Sequence, residues 1–81
     1  MSYAPWNDPM KEEDMTPYNL VLKALRTAEK SKTTLIKETG VPYGPIGHTL
    51  EVLVLEGKVR RASLRFRITP LGEKYLRDHK L

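Results

Sequence analysis

Residues Leu50–Leu76 read LEVLVLEGKVRRASLRFRITPLGEKYL, and the hydrophobic period changes within them. Leu50, Leu53 and Val54 recur at helical spacing, whereas Leu64, Phe66 and Ile68 alternate with Arg65 and Arg67, as in a strand with one buried face. Thr69-Pro70 opens a further helix, since a hydroxyl can take a free N–H and the proline stands where its missing donor does no harm. The stretch predicts the end of one helix, then two short strands over about 58–62 and 64–69 joined by a tight turn near Ala62-Ser63. The last helix packs back through Leu71, Tyr75 and Leu76.

Upstream, Gly44-Pro45 is a second cap-and-proline start, and Ile46, Leu50, Leu53, Val54 and Gly57 fall on one face of the helix it opens. A short helix precedes it from about Thr33 to Thr39, with Leu35 and Ile36 inward, Gly40 in the left-handed position that ends helices, and Val41 plugging the turn. Thr16-Pro17 begins the first helix, predicted to run to about Lys30 with Tyr18, Val21, Leu22, Leu25 and Ala28 inward. Its other face carries Lys23, Arg26 and Lys30, as solvated helix faces commonly do. Residues 16–81 therefore predict an α+β, mostly helical domain: a three-helix core, a two-stranded hairpin and a C-terminal helix. Residues 1–15 contain Pro5, Pro9, a run of acids, Tyr3 and Trp6 without either period. They predict a flexible acidic arm, or an arm whose Tyr3 and Trp6 dock on a partner subunit.

Composition narrows the chemistry. Eighty-one residues suffice for one domain, and a chain this short buries only roughly 60% of its unfolded surface, so dimerisation is a natural source of extra stability. With no cysteine and two histidines, neither a disulfide framework nor a structural zinc site is expected. No apolar run reaches the about 18 residues of a membrane span and no signal-peptide core is evident, so the sequence predicts a cytoplasmic protein without a membrane partner. Residues 1–16 hold one lysine against four acids, a balance of −3, which leaves +7 on the remainder of a chain whose total is +4. A basic domain is an electrostatic footprint for polyanions.

Three fragments in order resemble one family. Leu35-Ile36-Lys37-Glu38-Thr39-Gly40-Val41 resembles the second helix and turn of bacterial and archaeal helix-turn-helix regulators. Leu50, Leu53, Gly57, Val59, Arg60 and Arg61 resemble their third-helix exit, and Phe66-Arg67-Ile68-Thr69 with Gly72 and Leu76 resembles the junction of wing and last helix. Over residues 17–81 the chain is similar to the small winged helix-turn-helix transcription regulators of archaea and their viruses. That resemblance implies double-stranded DNA as partner, a homodimer on a palindromic site, the third helix in the major groove, and the wing on backbone or minor groove.

On the third helix the resemblance and the expected outward face select Tyr43, Gly44, Pro45, Gly47, His48, Thr49 and Val52. Thr49 and His48 can hydrogen-bond bases or phosphate, and Val52 can meet a thymine methyl. The face departs from the family at Pro45, Gly47 and Glu51, where Ser, Thr, Lys or Arg is usual, and no Arg or Lys lies between Thr39 and Lys58. A bidentate arginine to guanine is therefore not available from this helix. The wing is better supplied by Lys58, Arg60, Arg61, Ser63, Arg65 and Arg67, whose five cations have no acid among them. Four phosphate contacts from it imply a logarithmic salt slope of about −3.6 per subunit.

Two other classes of function compete with this one. Val52, Leu55 and the arginine-poor third helix suit a protein-interaction module within a larger assembly. Catalysis is not expected, because no Ser or Thr stands in a nucleophile motif with His48 or His79, and Gly40, Gly44 and Gly47 lack the Lys-Ser/Thr of a phosphate loop. No cofactor, metal or small-molecule site is legible.

Overall fold

The structure is a computed structural model that describes residues 16–81; the expected acidic arm, residues 1–15, lies outside the described residues, as does the docking expected of Tyr3 and Trp6. The fold is α+β, in the order α1 Pro17–Leu25, β1 Lys30–Ser31, α2 Lys32–Thr39, α3 Tyr43–Leu55, β2 Val59–Ala62, β3 Arg65–Ile68 and α4 Pro70–Asp78. Both Thr-Pro pairs act as caps. The Thr16 hydroxyl accepts the Asn19 N–H at 3.3 Å and the Thr69 hydroxyl accepts the Gly72 N–H at 3.2 Å. Gly40 ends α2 at φ +76°, and the buried Val41 follows it into the core.

Several boundaries differ from the sequence expectation. Helix α1 ends at Leu25 rather than near Lys30, because Lys30 and Ser31 pair with Phe66 and Arg65 of β3. The sheet therefore has three strands in the order β1-β3-β2, not two, and Ala28 is exposed rather than inward. A two-residue strand has no period to betray it. The Ser31 hydroxyl then accepts the Thr34 N–H at 3.3 Å and starts α2 just ahead of Thr33. Helix α3 starts at Tyr43 with Pro42 in the cap position and no side-chain cap, so Gly44-Pro45 lies inside the first turn. Pro45 is tolerated there because the first helical N–H groups have no partner to lose.

The inward face of α3 is Ile46, Thr49, Leu50 and Leu53, while Val54 and Gly57, expected in the seam, are exposed. At about 100° per residue the helix is turned by roughly 35° from the expected orientation. Residues 52–55 are all apolar, so their pattern allows more than one inward face, and packing against α1, α2 and β2 selects it. The hairpin turn is Ser63-Leu64 rather than Ala62-Ser63, with Ser63 supplying the positive φ, +57°, that two-residue hairpin loops require. Leu64 consequently leaves the strand and is 80% exposed, and Leu71 also points outward from α4. Leu81 folds back onto the core, its N–H donating to Leu76 O at 2.9 Å.

Residues from every layer meet in the core. Leu22 of α1, Leu35 of α2, Ile46 and Leu53 of α3 and Leu76 of α4 are completely buried, each contributing about 1.5–3 kcal/mol relative to exposure. Val59 and Phe66 close the core from the sheet, which seats the β2–β3 hairpin against α3. Among the described residues no helix is long and apolar enough to cross a membrane.

Candidate nucleic-acid interface

Strand register sorts the hairpin arginines. Val59 opposes Ile68 and Arg61 opposes Phe66, while Arg60 opposes Arg67 and Ala62 opposes Arg65. Directly opposed side chains share a face, so Phe66, Ile68 and Val59 turn to the core and Arg60, Arg65 and Arg67 stand together on the outer face. Arg60 and Arg67 are exposed, and neither forms an ion pair among the described residues. Arg65 faces Glu29 at 3.6 Å in an exposed pair, a contact of little energetic weight in water. Arg61 lies on the core side at the sheet margin, its guanidinium 5.8 Å from the Phe66 ring centroid. Ser63 is exposed at the hairpin tip.

Lys58, expected with these arginines, is placed elsewhere. Its ammonium donates to the Tyr18 hydroxyl at 2.6 Å and to Glu56 at 3.2 Å, and lies 4.7 Å from the Tyr75 ring centroid. The Tyr18 hydroxyl also donates to Glu56, and the Tyr75 hydroxyl donates to Asn19 at 2.9 Å. This cluster ties α1 to the end of α3 and to α4, so Lys58 braces the fold and is not on the hairpin surface. Acids nevertheless reach these cations, Glu56 from two residues before Lys58 and Glu29 through a tertiary contact with Arg65.

The cluster has a pH signature. Hydrogen bonds from Tyr18 and Lys58 lower the pKa of Glu56, the bond to Tyr18 chiefly raises that of Lys58, and burial followed by the bond to Glu56 raises that of Tyr18. A lowered carboxylate contributes stability that is present above its ordinary range and lost as pH falls through the folded value. Raised Lys58 and Tyr18 contribute stability that is complete below about pH 10 and lost as pH climbs through their folded values. Thermal unfolding followed across pH should therefore fall at both ends, and Tyr18→Phe should flatten both limbs relative to the native chain. Equal slopes in the two proteins would exclude this role for the cluster.

On α3, Tyr43, Gly44, Pro45 and His48 are exposed, and Gly47 and Val52 are half-buried. Thr49 is the correction: at 9% exposure it packs inward and presents no hydroxyl to a ligand. Turning the helix brings Glu51 and Leu55 to the centre of the outward face instead, Leu55 at 86% exposure. Lys32 was missed by sequence reasoning. From the first turn of α2 it reaches across to α3, its ammonium 4.7 Å from the Tyr43 ring centroid and 3.4 Å from where a Cβ on Gly47 would stand. That approach joins residues fifteen apart in the chain, a signal that a single sequence does not carry. Between α3 and the hairpin lies a groove whose walls include Tyr43, Leu55 and Leu64, with Lys32, Glu51 and Arg61 at its margins.

The chain matches no family model, and neither a curated protein nor a solved structure matches it. Its functional reading therefore rests on the chain's own residues.

Proposed function

We propose that the chain is a small winged helix-turn-helix regulator that binds double-stranded DNA, holding it chiefly through the arginines of its wing, the β2–β3 hairpin. The observation that carries this reading is the Arg60–Arg67 pair. Two like charges face each other directly across the strands, an arrangement that weakens the sheet. A phosphodiester between them would turn that repulsion into two charge-assisted contacts suited to the planar guanidinium. The helix order before and after the hairpin supports the same reading, with α3 entering the major groove.

In that position α3 contributes modestly. Tyr43 and His48 offer polar groups near its first turn, Gly44 permits close backbone approach, and Glu51 can accept from a cytosine amino group. Sequence dependence is accordingly weak and affinity largely ionic. Dimerisation would double the grip and impose two-fold symmetry on the site.

Gel shift of a random duplex at several salt concentrations tests the proposal. With the outer-face arginines Arg60, Arg65 and Arg67 on phosphates, the logarithmic slope should be about −2.7 per subunit, shallower than the four-contact value because Lys58 is engaged internally and Arg61 lies on the core side. Absence of a shift at low salt would sink it. A second reading, a protein-interaction module, draws on the exposed Leu55 and Leu64; it calls for a protein ligand whose binding is insensitive to salt.

A further inference from the structure

The groove between α3 and the β2–β3 hairpin is poorly suited to water. Tyr43, Leu55 and Leu64, at 70%, 86% and 80% exposure, stand around one concavity instead of being scattered over the surface. Contiguous exposed apolar surface of this kind marks a contact site. Its charged margin is Lys32, Arg61 and one acid, Glu51, a net positive frame.

The chain carries a segment of matching chemistry. Residues 1–15 contain Tyr3 and Trp6, followed by Asp8, Glu12, Glu13 and Asp14 against the single Lys11. They join the described structure at Thr16, and two residues later Tyr18 bonds Glu56, on the side of α3 away from the groove. Trp6 precedes Thr16 by ten residues, enough extended chain for about 33 Å. Helix α3, with 13 residues, is only about 20 Å long. The segment is therefore long enough to pass round α3 and reach the groove, and attachment to the same chain holds it at high effective concentration.

We propose that this groove is the docking site of the chain's own residues 1–15, with Tyr3 and Trp6 on its apolar walls and the acidic side chains toward Lys32 and Arg61. The assignment does not depend on the DNA reading. The driving terms are burial of two aromatics and charge complementarity across the margin.

Trp6 is the chain's one tryptophan, so its fluorescence in the full chain reports the contact directly. The native emission should be blue-shifted, shielded from a soluble quencher and unchanged on dilution. Leu55→Glu and Leu64→Glu should each move it to that of a water-exposed indole and remove the shielding. Both side chains are largely exposed, so thermal unfolding of residues 16–81 should be preserved, and Lys32→Glu with Arg61→Glu should give the same red shift through charge. A native spectrum already typical of exposed indole would overturn the proposal. So would a blue-shifted spectrum indifferent to both leucine variants, or one that reddens on dilution, which would give the groove to a segment of a second copy.

Discussion

Gly72→Ala is expected to lower the thermal midpoint by about 15 °C, a loss of about 3 kcal/mol for a domain of this size. A Cβ at position 72 would stand 2.4 Å from the Lys58 carbonyl oxygen and 2.7 Å from Ile68 Cγ1. The first neighbour is backbone, and that oxygen already accepts the Thr69 N–H at 3.0 Å. Thr69 in turn caps α4 through Gly72 and donates its hydroxyl to Gly57 O at 2.6 Å. Relief of the clash must therefore pull α4 away from the junction of α3, β2 and β3. Overpacking of about 1–3 kcal/mol, with a hydrogen bond of about 1 kcal/mol strained or broken, outweighs the roughly 1 kcal/mol that alanine gains over glycine in a helix. Gly44→Ala is the control. A Cβ there has no neighbour from outside its own helical turn within 4 Å among the described residues, so that variant should be neutral or slightly stabilised. Calorimetry of the two proteins decides the matter, and a midpoint for Gly72→Ala within a few degrees of native would refute the close-approach argument.

Arg67→Glu should separate stability from binding, with opposite signs. Facing Arg60, a glutamate replaces a like-charge cross-strand pair with an attractive one, which should stabilise the sheet by about 0.5–1 kcal/mol. In the same variant, loss of an arginine–phosphate contact and the new negative charge should weaken duplex binding by about 3 kcal/mol, roughly two orders of magnitude. The double replacement of Arg60 and Arg67 by alanine should reduce the salt slope by about 1.8, two contacts' worth. These results would place phosphate between the strands. A variant that becomes more stable yet binds duplex unchanged would remove the arginine pair from the interface and shift weight to the protein-interaction reading.

The ends of helices were legible because they depend on neighbours in the chain. Thr16-Pro17, Thr69-Pro70 and Gly40 act through bonds spanning a few residues, and each terminates an element as its local chemistry requires. Most of the core followed from period: Val21, Leu22, Leu25, Leu35, Ile46, Leu50, Leu53, Phe66 and Leu76 are all buried as expected. Period failed where it was redundant or too short. Helix α3 is apolar on several sides, so its rotation was undetermined and Thr49 was expected outward; β1, two residues long, left no pattern at all.

The candidate site divides along the same line. Alternation and capping, local properties of a polymer, were enough to specify an α+β domain with an arginine-rich hairpin. Only packing and register set Arg60 against Arg67, tie Lys58 to Tyr18, and turn Glu51 and Leu55 to the outward centre of α3. Each of those facts concerns residues brought together by register or packing, where the free energy depends on distances that no local rule contains.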